Sequence, residues 1–262
     1  MRLHKLNTQF GWKPTRPPYR RLTADQARQY DEQGYFLLEN AFSAEELAEV
    51  RAAIDPLEAA YEALLREKHG GRQFINKADA ITFTVHLVAR SAALKAFSRH
   101  PVFSDLCHDI MGPGARLYWD QAVYKKPGNP EEFPWHQDNG YTFMQPQQYL
   151  TCWVPLNDAT LENGCPWVAP GLHRLGTLAH EPCPLGIRCV DEPSETVAVP
   201  ARAGDVVVFS SLTPHRTGPN LTAETRRSYI LQYAPDGVVA YDPFNGETRA
   251  ANDPQRQYYV DA

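Results

Sequence analysis

A histidine and an aspartate two residues apart, His136 and Asp138, and a second histidine far downstream, His215, can do metal chemistry in this 262-residue chain. Residues i and i+2 of an extended strand project to the same side, so His136 and Asp138 on a strand can grip one ion together. Two imidazoles and one carboxylate hold non-haem Fe(II) while leaving positions open for substrate and dioxygen. The flanking sequence supports that placement. Lys126-Pro127-Gly128-Asn129-Pro130 is a breaker-rich loop leading through Phe133-Pro134-Trp135 into the pair. His215 follows an apolar run, Gly204-Asp205-Val206-Val207-Val208-Phe209, and a short Ser210–Pro214 link. The competing reading of an isolated His-x-Asp is a turn or a helix cap, which use the same residue types.

Arg226 adds an independent constraint. Thr217–Thr222 reads as a turn and Arg227–Tyr233 as the returning strand, and a hairpin centred near Asn220-Leu221 sets His215 opposite Arg226. Directly opposed side chains are roughly 5 Å apart at Cβ. A guanidinium there can clamp a carboxylate bidentately, one small-molecule length from the metal. Thr217 offers a hydroxyl on the same face as His215, and alternation turns Arg227 to the other face. The alternative is a surface arginine in a charged hairpin.

These motifs resemble the phytanoyl-CoA dioxygenase family. The resemblance is carried by Phe133–Asp138, Trp153–Asp158, Glu162-Asn163-Gly164-Cys165, Pro170-Gly171-Leu172-His173, and Pro214-His215-Arg216 through Arg226, and covers roughly residues 23–235. It implies an Fe(II)- and 2-oxoglutarate-dependent oxygenase on a double-stranded β-helix. It also implies His136, Asp138 and His215 as iron ligands, with Arg226 anchoring the distal carboxylate of 2-oxoglutarate. Trp153, Thr151 and Thr217 fall where relatives line the cosubstrate pocket, and Tyr124 and Gln137 are placed with them. One departure is visible: the family's Pro-Gly-Ser-His stretch is Pro170-Gly171-Leu172-His173 here, which puts local loop contacts in doubt but not the iron.

Size and composition narrow the remaining possibilities. The length suits one large domain. With 43% hydrophobic and 22% charged residues the composition is that of an ordinary globular protein. A net charge of −5 gives no basic footprint for nucleic acid. Residues 1–22 are a local exception, basic and without an acid, and Pro14, Pro17 and Pro18 make them an irregular arm, packed through Phe10 and Trp12. No apolar run reaches the ~18 residues of a membrane span. Five cysteines without a CxxC pair read as reduced thiols, with Cys152 and Cys165 in apolar runs and a zinc site at Cys183 and Cys189 poorly motivated. The N-terminus lacks the apolar core of a signal peptide and Tyr259–Ala262 is not a peroxisomal tripeptide, so a reducing cytoplasm is expected. The expected partner is a small-molecule substrate, with neither nucleic acid nor membrane, and no feature speaks to an oligomeric state.

The elements that must position the site divide near residue 115. Residues 23–114 read as mainly helical support. Thr23-Ala24-Asp25-Gln26 and Ser43-Ala44-Glu45-Glu46 are capping boxes, the first helix stops at Gly34, and Tyr35–Leu38 is a strand. Leu47, Val50, Ile54, Leu57, Tyr61 and Leu64 form one helical stripe that Pro56 should kink or divide. Pro101 opens a further helix that closes at Gly112. Strands are expected at 115–126, 135–138, 148–156, 165–169, 195–200, 205–210, 214–218 and 226–234, a jelly-roll core over 115–235 with a tail over 236–262. Counting by two, Asp120, Ala122 and Tyr124 share a face, as do Tyr149, Thr151 and Trp153, and both sets are expected to face inward.

The chemistry then follows. Oxidative decarboxylation of 2-oxoglutarate by dioxygen gives succinate, carbon dioxide and an oxidant for a nearby C–H bond, while the protein orients substrate and excludes water. Relatives that halogenate have a small residue where Asp138 stands, so hydroxylation or a related oxidation is expected here. Candidate substrate contacts are Lys77, His86, Tyr141 and Phe143, with Met144, the segment from Arg174 to Val190 and the tail from Asp236 as further walls. For Lys77 and His86 a surface lysine and a satisfied histidine are the plainer readings. Two rivals use the same ligands: a cupin-like binding protein with a structural metal, and a Zn(II) or Mn(II) isomerase or hydrolase. Succinate formation separates the first, and dependence on added 2-oxoglutarate the second.

Overall fold

Side chains closing on backbone set the first two helix starts. Thr23 and Gln26 cap each other's N–H groups to open α1 (Ala24–Gln33), and Ser43 and Glu46 do the same for α2 (Ala44–His69). Such reciprocal caps satisfy donors that a helix terminus leaves without partners. In the computed structural model, which describes residues 1–242 and 245–260, α1 ends at Gly34 and β1 (Tyr35–Leu38) follows at once. Residues 243–244 and 261–262 of the tail expected over 236–262 lie outside the described residues. Pro56 does not divide α2, which runs on through it for 26 residues. An interior proline costs about 3 kcal/mol, and burial of Leu47, Val50 and Ile54 along the same helix offsets it.

Three short strands, β2 (Arg72–Gln73), β3 (Asn76–Lys77) and β4 (Ile81–Val85), lead to α3 (Ala92–Phe97) and α4 (Pro101–Met111). The strand-rich part begins with β5 (Ala115–Lys125) and β6 (Phe133–His136), followed by the one-turn helix α5 (Asp138–Tyr141). It continues through β7 (Met144–Gln145), β8 (Leu150–Pro155), β9 (Pro166–Val168), β10 (Glu181–Cys183), β11 (Gly186–Arg188) and β12 (Val197–Ala198). Then come β13 (Val206–Ser210), β14 (His215–Thr217), β15 (Arg226–Pro235), β16 (Val239–Tyr241) and β17 (Thr248–Ala250).

Eight strands form one sheet in the order β1-β13-β8-β15-β5-β4-β3-β2, and four form another, β12-β9-β14-β6. The pairings in both are antiparallel. Alternation gives the larger sheet two buried faces. Ala122, Cys152, Val154, Val208 and Leu231 pack with residues of α1, α2 and α4 in one core. Val123, Trp153, Val207, Phe209 and Ile230 pack with Phe133 of β6 and Val168 of β9 in a second. Burial on both faces is why Val206–Phe209 reads as an unbroken apolar run rather than an alternating one. Residues 1–22 lie against this body: Leu3 bridges to Leu178, Trp12 packs on Tyr30 and His173, and Asp109 of α4 accepts from the N–H groups of Arg20, Arg21 and Leu22.

Gly34 ties α1 to the segment before β14. Its carbonyl accepts from Thr213 Oγ1 at 2.7 Å, its φ is +86°, and a Cβ there would stand 2.5 Å from Thr213 Oγ1 and 2.6 Å from the His173 ring. Holding a non-glycine residue at such an angle costs about 1–3 kcal/mol before any clash. Gly34→Ala is therefore expected to lose at least that much stability. Gly70→Ala, at φ +59° with open space around it, should lose less, and chemical denaturation of the two variants checks the ranking.

Candidate metal centre

β6 and β14 are neighbours in the four-stranded sheet, and His136 is the register partner of His215. The imidazoles therefore lie side by side, their ring centroids 4.1 Å apart. Asp138 is not on the strand predicted for it. β6 ends at His136, and Asp138 is the first residue of α5. Gln137 between them keeps extended backbone, φ −109° and ψ 143°, so the i, i+2 relation survives the end of the strand. Asp138 Oδ1 stands 4.0 Å from His136 Nε2 and 3.8 Å from His215 Nε2. One ligand atom from each residue lies within 4.8 Å of the others.

Backbone carbonyls orient both rings. His136 Nδ1 donates to Pro134 O at 2.9 Å and His215 Nδ1 to Thr213 O at 3.0 Å, in each case two residues upstream. A carbonyl only accepts, so the proton sits on Nδ1 and each ring presents an Nε2 lone pair. Burial keeps the rings neutral, pushing His136 down to about 3 with help from His215, and His215 down to about 4. Burial also raises the Asp138 carboxyl, whose Oδ2 accepts from Thr151 Oγ1 at 2.5 Å. Two neutral imidazoles and a carboxylate converging inside a protein are the donor set of a divalent ion such as iron.

Arg226 reaches the same place from the other sheet. The hairpin register that sets it opposite His215 is incorrect: His215 pairs with His136 and Val168, while Arg226 pairs with Lys125. The link between β14 and β15 carries the chain from the small sheet to the large one, which local turn signals do not reveal. Arg226 nevertheless lines one small cavity with His136, Asp138, His215, Thr151, Trp153 and Thr217. Its fully buried guanidinium lies 5.3 Å from the Trp153 ring centroid. Nη1 donates to Ser228 Oγ at 2.6 Å, whereas Nε and Nη2 have no acceptor among the described residues. Burial lowers its pKa to about 10, which leaves it a cation at neutral pH. Buried donors are almost always paired, so two unpaired ones beside a metal-type donor set fit an anionic ligand. Arg227 faces the other way, over Tyr124 and toward Asp55.

Several predicted residues lie elsewhere. Tyr124 faces the helical core, its hydroxyl donating to Asp55, and Asp120 on the same face accepts from Leu87 N, Val88 N and Tyr229 Oη. Alternation sorts β5 into two sets, but with both faces buried it does not say which set meets the ligands; Gln121 and Val123 do. Gln137 points away from them, donating to Gly176 O and Leu212 O and accepting from Leu178 N. Lys77 pairs with Glu131 at a half-exposed position. His86 stands edge-on to Trp119 and 3.0 Å from Arg256 Nη1, and Phe143 packs on His4 and Tyr241. Tyr141 alone of the four substrate candidates lines a cavity of about 500 Å³ that opens onto His136 and Asp138. Neither Met144, nor residues 174–190, nor the described part of the tail lines that cavity. His180 of that segment instead accepts the Gln137 N–H and so supports the ligand turn from behind.

Lys125 was missed. It is fully buried two residues beyond Val123, and its Nζ donates to Gly218 O at 2.5 Å, Thr217 Oγ1 at 3.2 Å and Glu131 O at 3.3 Å. Burial first, and Arg226 second, push its pKa well below the usual lysine value. A charged residue at the inner parity of an apolar strand was the available signal.

Comparison with known proteins agrees with this geometry. Residues 30–228 match the Phytanoyl-CoA dioxygenase (PhyH) family. A methylphosphonate hydroxylase from Gimesia maris is 31% identical over 183 residues, 68% of this chain and 63% of that protein. An ectoine dioxygenase from Bordetella parapertussis is 26% identical over 234 residues, covering 81% of this chain and 75% of that one. The structure of EctD from S. alaskensis with 2-oxoglutarate and 5-hydroxyectoine shares the fold, with a TM-score of 0.69 and 24% identity over 93% of this chain and 86% of that one. The mainly β architecture with flanking helices is theirs. With most of its length matched and a His-Asp-His cluster in place, the chain belongs to the phytanoyl-CoA dioxygenase family of Fe(II)- and 2-oxoglutarate-dependent oxygenases.

Proposed function

We propose that this protein hydroxylates an unactivated C–H bond of a small metabolite or natural-product intermediate, with His136, Asp138 and His215 holding Fe(II) and Arg226 holding the far carboxylate of 2-oxoglutarate. The observation that carries the reading is the buried Arg226 guanidinium, whose two unpartnered N–H donors share a cavity with the three ligands. That dedicated anion anchor disfavours a metal isomerase or hydrolase. Bound there, iron and 2-oxoglutarate supply the oxidising chemistry from dioxygen, with succinate and carbon dioxide as coproducts.

The protein's own side chains organise the reactants. Thr151 fixes the Asp138 carboxylate, and Asp138 as a resident anionic ligand disfavours halide there, which selects hydroxylation over halogenation. Trp153 walls the cosubstrate space beneath the guanidinium. Lys125 acts through Thr217: its Nζ donates to Thr217 Oγ1, which leaves the hydroxyl proton free to go to a carboxylate beside Arg226. Two antiparallel sheets lining one cavity support a double-stranded β-helix as the fold, with residues 1–114 and the tail as parts of the same domain. Thiols outside any disulfide at Cys152, Cys165, Cys183 and Cys189 support a reducing, cytoplasmic setting, and no helix among the described residues is long and apolar enough to cross a membrane.

Substitutions at His215, Arg226, Arg227, Lys125 and Thr217 test these roles. His215→Ala is expected to abolish iron binding by calorimetry, together with iron- and 2-oxoglutarate-dependent succinate formation, while circular dichroism stays that of the folded protein. Arg226→Ala should weaken 2-oxoglutarate binding by ~2–5 kcal/mol, the usual cost of stranding one partner of a buried charge pair, with iron affinity little changed. Arg227→Ala should leave both near wild type, and the reverse ranking of the two arginines would place the wrong one in the cavity. Lys125→Met should raise KM for 2-oxoglutarate more than it lowers kcat, and that increase should vanish in a Thr217→Val background. An equal effect in both backgrounds would show that Lys125 does not act through Thr217.

A further inference from the structure

Beside this centre lies a second, larger cavity, which opens onto His136 and Asp138. Its volume, about 500 Å³, lies in the range that encloses drug-sized ligands and far exceeds the needs of a molecule the size of methylphosphonate. Tyr61, Phe74, Tyr118, Trp119, Tyr141 and Tyr149 give it an aromatic wall. Phe74 is 65% exposed and stands edge-on to Tyr141, so a large apolar surface borders the cavity on its solvent side. Of the polar groups there, Gln121 Oε1 accepts from Trp119 Nε1 at 3.1 Å and Gln232 bonds to Asp138. A phosphonate held tightly needs several convergent donors or a guanidinium fork, and the one arginine of this wall among the described residues is exposed and already donates to a backbone carbonyl.

One cation lines the cavity among the described residues. Arg90 is exposed, its Nη2 donates to Val85 O at 3.0 Å, and among the described residues no carboxylate lies within salt-bridge distance of it, Asp120 acting on it only through the longer-range charge interaction. An aromatic wall also attracts cations, but among the described residues the wall's only carboxylate is the candidate ligand Asp138, and Arg90 repels a positive substrate. Rings and compact hydrocarbon make the offset and edge contacts that aromatic side chains favour.

From these observations we infer that the substrate is a bulky, mainly apolar, ring-bearing anion, its hydrocarbon body against the aromatic wall and its anionic group at Arg90. The inference rests on the reading of His136, Asp138 and His215 as the iron centre, since that centre sets which end of the substrate is oxidised. Anaerobic calorimetry of the Fe(II)- and 2-oxoglutarate-loaded protein tests it with three probes: abietate (a tricyclic carboxylate), its uncharged alcohol abietinol, and methylphosphonate. Abietate is expected to bind at least about tenfold more tightly than either of the others. Arg90→Gln should remove its advantage over abietinol, and Phe74→Ala should weaken both tricyclic probes alike. Tighter binding of methylphosphonate, equal binding of abietate and abietinol, or an equal loss of both in Arg90→Gln would overturn the assignment. The visible charge-transfer band on adding 2-oxoglutarate to the Fe(II)-loaded protein without any probe is measured alongside. Its absence would sink the iron and 2-oxoglutarate reading whatever the ranking of the probes.

Discussion

The pairing of His136 with His215 across β6 and β14 is the contact on which the rest of the site depends. It fixes two imidazoles side by side, and the carbonyls of Pro134 and Thr213 turn both Nε2 atoms to one point. The third donor then needs only one extended residue, Gln137, before α5 begins. Three backbone-directed bonds from the Gln137 side chain, and His180 on its N–H, lock that residue from the far side. Ligand geometry is thus set by backbone register and by buried hydrogen bonds behind it, which is how a protein pre-organises donors before an ion arrives.

The electrostatics follow from burial. Removing a guanidinium or an ammonium from water is costly unless partners repay it. Arg226 and Lys125, neighbours in register on β15 and β5, are both fully buried, and among the described residues neither has a carboxylate within salt-bridge distance. Lys125 meets its cost with backbone carbonyls and Thr217. Arg226 does so only in part, through Ser228 and the face of Trp153, and its remaining donors open on the ligand cavity. A dicarboxylate is the kind of partner that completes this arrangement, and the local instability of an unpaired arginine is what gives the site its affinity for one.

Much of this was legible in the sequence, for physical reasons that also explain the errors. Capping boxes at Thr23 and Ser43 and the αL glycine at position 34 are local signals, and local signals fix local structure. The His-x-Asp spacing survived because extended backbone at Gln137 does the work whether or not a strand continues. Alternation rightly sent Arg227 away from Arg226, yet it could not choose the inner set of β5, because a sheet buried on both faces shows no polar contrast between them. Hence alternation points to Tyr124 as readily as to Lys125, the residue that shares the inner set with Val123. The β14–β15 link carries the turn residues of a hairpin, because a change of sheet is a non-local event that local signals do not encode. Membership of opposing sheets, not cross-strand pairing, brings Arg226 to the histidines.

The central claim is that one point in this fold binds Fe(II) and, beside it, a 2-oxoglutarate whose far carboxylate meets the buried arginine. Anaerobic titration of the Fe(II)-loaded protein with 2-oxoglutarate, followed by visible absorption, reads both parts at once, because chelation of the keto acid to the metal produces a charge-transfer band. The band should grow with added 2-oxoglutarate and saturate at one equivalent per chain. Tightly bound iron with a spectrum indifferent to 2-oxoglutarate would contradict the account.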